Sequence, residues 1–488
     1  NASKNIEDMG LFNTVVLRNQ TQGCYMKDLT ITGKVLNIDV VSDISDTSTL
    51  TSDLFSGDSV NGKTAAGLIG RLEMNNTFNP QGFTMPYNYT FENICVKQLD
   101  VETQEYAGGL IGRIKSIKDG SKADTYANAL CFTDCRVGVS DLGEEPERYG
   151  VTIKGRADVG GFVACYLESI NMTFQNCEVQ STDLYAGGMH VYYTTDSNGA
   201  SVEKKVYPAA GGFVGRGVGT SRTITVLGGG YEKLKVRTKG HMGGVIGETE
   251  STLLVNHSGN SETFVGEQMN FSGLGNANEI SITDTNWIET TLNADGTIDE
   301  SAVNYNRTGF LGCFGGIVGF VSGSGTTVKD VTLTNISGTL NYGYKNKTAM
   351  GGLIGRFYET DNKEYVIANC VVGSSNSTLS LKATANPDPG DKIMVVAGGL
   401  VGNIECSGIT KITNCSVIGD GNSILQGTDS AAGMIGYANT YTKNGKMIYY
   451  DTCTVDGLRL RGYLRVAGVE GKRNYDIPNA YPWEVVST

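Results

Sequence analysis

The feature that most constrains this chain is a short phrase, glycine then two apolar residues and a second glycine or alanine, which recurs along its length. Its clear copies begin at Gly67, Gly109, Gly161, Gly212, Gly244, Gly316, Gly352, Gly399 and Gly433. A phrase repeated at intervals of tens of residues indicates one structural unit used many times. At 488 residues the chain is also too long for one compact core of ordinary shape. We therefore expect a repeat array.

A second phrase alternates with the first, and its pattern is apolar, any residue, Asn/Asp/Lys/Thr, Cys/Ile/Leu/Val, any residue, apolar. Its copies begin at Met26, Phe91, Phe132, Phe174, Tyr231, Val328, Ile367, Ile412 and Tyr450, with a decayed copy at Ile282. The fourth and sixth positions alternate as in a half-buried strand. The first position is also apolar but lies three residues before the fourth. In a straight strand two such residues face opposite sides, so a bend must separate them if both are to face the core.

The third position of this phrase is where the bend is expected, because Asn and Asp recur there and tolerate positive φ. The predicted corner residues are Asn93, Asp134, Asn176, Asn369 and Asn414. A strand, a sharp bend and a second strand are typical of a parallel β-helix. Paired glycines in the first phrase suit tight bends or close packing of neighbouring backbones.

The spacing of the first phrase is uneven, with 32 residues from Gly212 to Gly244 but 72 from Gly244 to Gly316. Uneven spacing suits coils with outer loops of different length and disfavours a propeller. The prediction is an all-β fold, a right-handed parallel β-helix (solenoid) with irregular loop insertions. The alternative is a set of tandem antiparallel β-sandwich modules. We expect one elongated domain over 1–488, a loop insertion at 255–310 and a C-terminal cap or linker at 472–488. The irregular stretches 140–150, 190–208, 255–310 and 375–392 are the expected protruding loops and candidates for partner contact.

Cysteine occupies the fourth position of the second phrase in five copies, at Cys135, Cys177, Cys370, Cys415 and Cys453. The other clear copies carry Leu29, Ile94, Leu234 and Val331 there. A residue that alternates with aliphatic side chains is interpreted as a small apolar core residue. Pairing is left open for Cys24, Cys95, Cys131, Cys165, Cys313 and Cys406. Eleven is odd, so at least one thiol has no partner within a chain.

Catalytic and metal-binding signals are sparse. The histidines are His190, His241 and His257, without zinc-ligand spacing. The glycine phrase ends in arginine at Arg71, Arg113, Arg216 and Arg356, which resembles a shortened phosphate loop but lacks the Gly-Lys-Ser/Thr ending. We predict no catalytic, metal-binding or cofactor-binding residue and no cofactor. Carboxylate-rich stretches at 141–147 and 387–391 keep a polysaccharide-cleaving enzyme open as an alternative.

The charge balance and apolar runs limit the partners. A formal charge of −12 disfavours nucleic acid, and no stretch approaches the roughly 20 apolar residues of a membrane helix. The opening NASKNIEDMG does not begin with Met and lacks an apolar signal region, which predicts a processed fragment. Sequons that would accept glycans in a eukaryotic secretory protein begin at Asn1, Asn19, Asn75, Asn88, Asn171, Asn256, Asn270, Asn306, Asn335, Asn346, Asn376 and Asn414.

The phrases AGGLIGR, GGLVG…ITNCSV and MGLF…MKDLTITG resemble the GLUG-type repeats of large bacterial cell-surface and secreted proteins. The resemblance covers about residues 10–471 and departs near 255–310. It implies an extracellular or cell-surface location and an adhesive or stalk role, and it supplies no catalytic residues. We expect a non-enzymatic, adhesin-like scaffold whose loops bind extracellular proteins, glycans or other copies of itself. A self-assembling surface fibre subunit and a β-helix polysaccharide hydrolase or lyase are the alternatives.

Overall fold

The computed structural model contains only β-structure in the part of the chain that it describes. The described residues are 8–18, 24–37, 63–75, 88–103, 105–117, 129–139, 150–155, 157–166, 170–187, 190–195, 201–217, 222–238, 240–257, 263–273, 310–341, 347–359, 363–384, 395–440, 448–462 and 465–474. No helix occurs within these ranges. The all-β prediction is confirmed.

Short strands follow one another along the chain. In chain order they are β1 (Asp8–Met9), β2 (Phe12–Arg18), β3 (Cys24–Asn37), β4 (Thr64–Ala66), β5 (Ile69–Asn75), β6 (Asn88–Thr103), β7 (Tyr106–Gly108), β8 (Ile111–Ile117), β9 (Ala129–Thr133), β10 (Arg136–Val137), β11 (Val151–Gly155), β12 (Val159–Gly160), β13 (Val163–Tyr166), β14 (Asn171–Gln175), β15 (Glu178–Ala186), β16 (His190–Thr195), β17 (Ser201–Val206), β18 (Ala209–Gly211), β19 (Val214–Gly217), β20 (Thr223–Leu227), β21 (Gly230–Thr238), β22 (His241–Gly243) and β23 (Ile246–Thr249). They continue as β24 (Thr252–Val255), β25 (Phe264–Gly273), β26 (Phe310–Gly315), β27 (Val318–Val321), β28 (Thr327–Thr334), β29 (Ser337–Asn341), β30 (Lys347–Gly351), β31 (Ile354–Glu359), β32 (Glu364–Gly373), β33 (Ser380–Thr384), β34 (Val395–Gly398), β35 (Val401–Cys406), β36 (Ile409–Thr413), β37 (Ser416–Ile418), β38 (Ile424–Gly427), β39 (Ser430–Ala432), β40 (Ile435–Thr440), β41 (Ile448–Asp451), β42 (Thr454–Asp456), β43 (Arg459–Gly462), β44 (Arg465–Ala467) and β45 (Glu470–Asn474).

The strands form three parallel sheets that the chain visits in turn. Sheet A has 11 strands in the order β1-β4-β7-β12-β18-β22-β26-β30-β34-β39-β44, and sheet B has 11 in the order β2-β5-β8-β13-β19-β23-β27-β31-β35-β40-β45. Sheet C holds 21 strands. Because each sheet gains its strands in chain order, every repeat lies on the one before it. The fold is therefore parallel and β-helix-like.

The alternative of antiparallel β-sandwich modules is wrong. Within the described ranges, the antiparallel pairings are the β16–β17 hairpin and one isolated bridge between Ser374 and Ser377. A sandwich needs antiparallel neighbours throughout. Here every described ladder within sheets A, B and C runs parallel.

Strands of sheet C run past bends in the chain. The 16-residue strand β6 pairs with β10 at Cys95 and with β11 from Leu99. Strand β15 pairs with the same two strands. Strands β10 and β11 therefore lie end to end in one repeat, between the long bent strands β6 and β15.

The glycine phrase forms the turn between sheets A and B, and its first glycine leaves no room for a side chain. A Cβ built on Gly161 would lie 1.9 Å from the Gly212 carbonyl oxygen, and one on Gly212 would lie 2.1 Å from that of Gly244. Real Cβ atoms do not approach so closely, so stacked turns at this spacing require glycine. This packing explains why the phrase recurs.

The hydrophobic core runs along the repeats between the sheets. Phe132 stacks on Phe91 with ring centroids 5.0 Å apart and on Phe174 at 4.9 Å. Phe162, from the glycine phrase, meets Phe132 edge to face at 5.9 Å. In-register side chains thus form continuous apolar columns.

Two predicted boundaries need correction. The loop expected at 255–310 contains β25, which pairs with β21 and belongs to sheet C, since Gly230 pairs with Val265. The decayed phrase at Ile282 lies outside the described residues. The segment expected as a cap or linker at 472–488 begins inside β45, whose Lys472 pairs with Tyr437 of sheet B.

Candidate functional site

The predicted corner residues all lie at bends with positive φ. The values are 51° for Asn93, 52° for Asp134, 51° for Asn176, 55° for Asn369 and 50° for Asn414. All five side chains are exposed. This is the left-handed region that Asn and Asp tolerate better than most residues. The structure therefore places these residues where the strand-bend-strand argument requires them.

The corner amides also connect neighbouring repeats. The Nδ2 of Asn93 donates to the Oδ1 of Asp28 at 2.8 Å, and the Nδ2 of Asn369 donates to the Oδ1 of Asp330 at 2.9 Å. The Nδ2 of Asn414 donates to the Oδ1 of Asn369 at 3.0 Å. The corner thus presents an exposed polar ladder along one edge of the molecule.

The five cysteines of the second phrase lie on the inner side of this corner and carry free thiols. Cys135, Cys177, Cys370 and Cys415 are fully buried, and Cys453 in the last repeat is half-buried. Register places Cys135 next to Cys177, and Cys415 between Cys370 and Cys453. The cysteines therefore pack in two short stacks.

These thiols also act as hydrogen-bond donors, which the comparison with aliphatic residues does not predict. The Sγ of Cys415 donates to the Thr413 carbonyl oxygen at 3.2 Å and lies 3.6 Å from that of Ile367. Cys370 makes the equivalent contact with the Ala368 carbonyl at 3.2 Å. Contact with the neighbouring Cys370 and burial raise the pKa of Cys415 to about 12. These cysteines are thus small core residues that also satisfy backbone carbonyls at the bend.

The prediction that Leu234 lies in the cysteine column is wrong. Ile94 and Val331 share the cysteine column, as their pairing with neighbouring strands shows. Leu234 pairs instead with Thr182 and lies at a second bend. In that repeat Gly229 takes the cysteine position, after Gly228 with φ 62°. Nothing in the sequence separates the two bends.

The other cysteines divide by burial. Cys165, Cys313 and Cys406 are buried, Cys95 and Cys131 are half-buried, and all five are free. The side chain of Cys24 lies outside the described part of the chain. Burial raises the pKa of Cys165 well above its usual range and that of Cys313 to about 12. Such thiols are inert packing groups.

The four arginines of the glycine phrase lie along a buried row of charged groups between sheets A and B, here called the polar seam. Arg71 and Arg113 bind the Asp8 carboxylate at 3.2 and 3.3 Å. Arg356 contacts Glu405 at 3.4 Å. These arginines therefore bind the protein's own carboxylates.

The best-connected part of the seam centres on Arg216. Its Nε lies 3.1 Å from both carboxylate oxygens of Asp158, and its Nη1 donates to Glu248. The His241 Nε2 lies 3.7 Å from Glu248. Burial raises the pKa of the Asp158 carboxyl, while Arg216 opposes that shift. Burial lowers the pKa of the His241 imidazole, and Arg216 and Arg356 lower it further.

This grouping of acidic and basic side chains is closed to substrate. Asp158 and Arg216 are 3% and 5% exposed, and His241 is 7% exposed. A cavity elsewhere in the core, lined by Phe357 and Tyr365, holds about 10 Å³, which is room for one water at most. The polar seam therefore has a structural role.

The remaining candidates for chemistry are metal-ligating groups, the other histidines and the carboxylate-rich stretches. Within the described ranges, no group of three or more His, Cys, Asp or Glu side chains is arranged to hold a metal ion. His257 is exposed, and the side chain of His190 is outside the described part. The carboxylate-rich stretches at 141–147 and 387–391 also lie outside it.

The sequons whose asparagine side chains are described differ in solvent exposure. Asn256 is 2% exposed, accepts from Gly228 N at 2.9 Å and donates to the carbonyls of Lys329 and Asp330. The folded protein cannot carry a glycan there, so Asn256 is removed as a candidate. Asn376 and Asn414 are exposed, and Asn171 and Asn335 are half-buried. The side chains outside the described part are Asn1, Asn19, Asn75, Asn88, Asn270, Asn306 and Asn346.

A hairpin lies outside the three parallel sheets and is the first candidate for partner contact. Strands β16 and β17 pair antiparallel from His190 with Val206 to Thr195 with Ser201. They form a two-stranded sheet of their own. The hairpin enters between β15 of sheet C and β18 of sheet A. The sequence predicts a protruding loop at 190–208, and the chain there forms a two-stranded ribbon that no third strand joins within the described residues.

Comparisons with known proteins gave no match. No protein-family model, curated protein or solved structure matched it. Over the described residues, the structure has no helix long and apolar enough to cross a membrane.

Proposed function

We propose that this protein is a right-handed parallel β-helix (solenoid) that serves as a non-enzymatic, adhesin-like scaffold outside the cell or at its surface. It displays inserted segments that bind extracellular proteins or glycans. The resemblance of its phrases to GLUG-type repeats supports the location. The in-order parallel ladders support the solenoid.

The observation that carries the proposal is the β16–β17 hairpin. It pairs with none of the three sheets, whereas every other described strand belongs to one of them. A rigid stack that carries such an insertion has the usual arrangement of a binding scaffold, with recognition on loops and stability in the repeats. The free edges of the hairpin suit strand addition by a partner segment.

The enzymatic alternative has weaker support. The Asp158, Arg216 and His241 side chains of the polar seam are buried, Arg216 binds Asp158, and His241 faces Glu248. A hydrolase or lyase needs two carboxylates facing a groove that admits a glycan. Among the described surface carboxylates, Asp420 accepts hydrogen bonds from Thr378 and Ser423, which lower its pKa to about 2 and so oppose a role as a general acid.

An array of glycans and extracellular proteins, paired with an assay of reducing-sugar release, tests the proposal. Because His190 pairs with Val206, a two-residue turn can replace residues 191–205 without moving the stack. We expect this variant to lose binding while its unfolding midpoint stays within a few degrees of the parent. Asn376→Ala, a change at an exposed turn residue, is the matched control and keeps binding. Turnover of any polysaccharide that one carboxylate change abolishes would overturn the scaffold function.

A further inference from the structure

Three polar side chains meet on the outer face of sheet C, a few residues before the hairpin. Asp183 and Tyr185 lie on β15, where they alternate with core residues. Arg237 lies on β21, in register with Tyr185. Strand β15 ends at Ala186, and the hairpin begins at His190. The three side chains are here called the hairpin-base cluster.

The members of the cluster hold one another in place. The Nη2 of Arg237 donates to the Oδ2 of Asp183 at 2.8 Å. The guanidinium carbon of Arg237 lies 5.1 Å from the centroid of the Tyr185 ring, a cation–π contact. The Asp183 and Arg237 side chains are each 30% exposed, whereas Tyr185 is 5% exposed. The ion pair is therefore the part of the cluster that a ligand meets first.

In the described part of the chain, each of these side chains also has a buried polar atom without a hydrogen-bond partner. These atoms are the Oδ1 of Asp183, the Oη of Tyr185 and the Nε of Arg237. Buried polar atoms are nearly always paired, because an unpaired one has lost the hydrogen bonds that water would make. The cluster thus has unused hydrogen-bonding capacity directly below an accessible ion pair.

The unpaired atoms specify the chemistry of a ligand. The Oδ1 of Asp183 accepts a hydrogen bond, and the Nε–H of Arg237 donates one. Burial raises the pKa of Tyr185 to about 12, so its hydroxyl keeps its proton and both donates and accepts. Two adjacent alcohol groups match this set, because every hydroxyl donates one bond and accepts others. An anionic ligand would be repelled by Asp183 and a cationic ligand by Arg237.

The surrounding charges on the same face balance as well. In the successive repeats of β6, β11, β15 and β21, the two outward columns carry three carboxylates and three cations. They are Asp100, Glu102, Lys154, Asp183, Lys235 and Arg237. A face without net charge favours an uncharged ligand over a charged one.

We propose that the hairpin-base cluster binds the terminal sugar of a neutral glycan, with two adjacent hydroxyls inserted between Arg237 and Asp183. One hydroxyl donates to the Oδ1 of Asp183, and the other accepts from the guanidinium of Arg237. The Tyr185 hydroxyl completes the set. The ligand replaces the ion-pair contact and supplies partners to atoms that lack them in the free protein. This inference rests on the proposed scaffold function and deepens it, because it assigns a ligand class to the surface beside the hairpin.

Titration by saturation-transfer NMR on the full chain tests the inference, with the methyl glycosides of mannose, galactose, fucose and glucose as probes. We expect at least one of them to bind. Tyr185→Phe removes the hydroxyl, keeps the ring under Arg237 and should raise the dissociation constant about tenfold. Asp183→Ala should raise it about tenfold or more, because a hydrogen bond to a charged acceptor is lost. Tyr358→Phe is the matched control and should bind like the parent, because Arg356 lies 5.0 Å over that ring in the same way.

Glucuronate and glucosamine are the charged probes, and each should bind more weakly than methyl glucoside. Failure of all four neutral probes to bind would overturn the inference. Binding that both Tyr185→Phe and Asp183→Ala leave unchanged would place the sugar elsewhere and overturn it too. Stronger binding of glucuronate would overturn it and show an anion site instead.

Replacement of residues 191–205 separates this inference from the proposed function. If the replacement abolishes partner binding on the array while no neutral sugar binds the parent, the scaffold function stands and the sugar site is overturned. If a neutral sugar binds and Tyr185→Phe weakens it, the sugar site is supported whether or not the array result depends on the hairpin.

Discussion

The side-chain amide of Asn414 donates a hydrogen bond to the Oδ1 of Asn369, one repeat earlier, at 3.0 Å. Asn369 in turn donates to Asp330 at 2.9 Å. All three residues have φ between 50° and 55°. The bend in the backbone and the contact between repeats are thus made by the same side chains.

Replacing Asn414 by alanine should cost stability in two ways. Alanine lacks the polar side chain by which asparagine offsets part of the cost of about 1–2 kcal/mol that a Cβ brings in the left-handed region, and the lost hydrogen bond adds about 1 kcal/mol. Asn414→Gly should recover most of the backbone part, because Gly228 with φ 62° holds the same corner in another repeat. Urea unfolding of the two variants measures this. Equal stability of Asn414→Ala and the parent would contradict the corner account.

Cys415→Val should fold normally, because Val331 occupies the same column with full burial. The expected loss is about 1 kcal/mol, from the thiol hydrogen bond to Thr413. Thermal unfolding with and without a reductant checks both the size of the loss and the absence of a disulfide contribution. A loss above about 3 kcal/mol would show that the cysteine is more than a packing residue.

The glycine turn predicts a position-dependent effect of one substitution. Gly212→Ala should destabilise by about 3 kcal/mol or more, because its Cβ would lie 2.1 Å from the Gly244 carbonyl oxygen. Gly468 is the matched control: it takes the same turn position in the last repeat, and a Cβ there meets nothing within 4 Å. Similar unfolding midpoints for Gly212→Ala and Gly468→Ala would show that stacking does not require glycine.

The central ion pair of the polar seam should contribute more to the free energy of unfolding than a surface ion pair does. Asp158→Ala leaves Arg216 buried with one carboxylate partner fewer, and a loss of about 3 kcal/mol is expected. Asp183→Ala is the control, because its pair with Arg237 is 30% exposed on both sides and should change stability by about 0–1 kcal/mol. Chemical denaturation compares the two variants. A smaller loss for Asp158→Ala than for Asp183→Ala would contradict the structural role of the seam.

The sequence predicted those features that depend on one residue and its neighbours. Asn93 and Asn176 marked their bends because positive φ favours few residue types. The second bend, at Gln98, Ser181 and Lys233 with φ of 48°, 43° and 53°, is not predicted by the sequence, because Gln and Lys have no turn preference and a single Ser is a weak turn signal. Its geometry is imposed by stacking between repeats.

The polar seam and the hairpin were harder to predict for a related reason. Asp158 precedes Arg216 by 58 residues, and no local pattern connects the two positions. The stretch 190–208 could be identified as an interruption of the repeat. Its strand pairing is a tertiary property, because two polar strands joined by five residues give a weak signal.

Distances between spin labels along one column test the continuous parallel stack most directly. Successive register pairs place Lys329 six repeats and Asp451 nine repeats from Lys27. At about 4.8 Å per step, labels at positions 27 and 329 should lie about 29 Å apart, and those at 27 and 451 about 43 Å apart. Two narrow distributions in that ratio are the predicted result. Equal distances, or a shorter distance for the 27–451 pair, would contradict a single stack of parallel repeats.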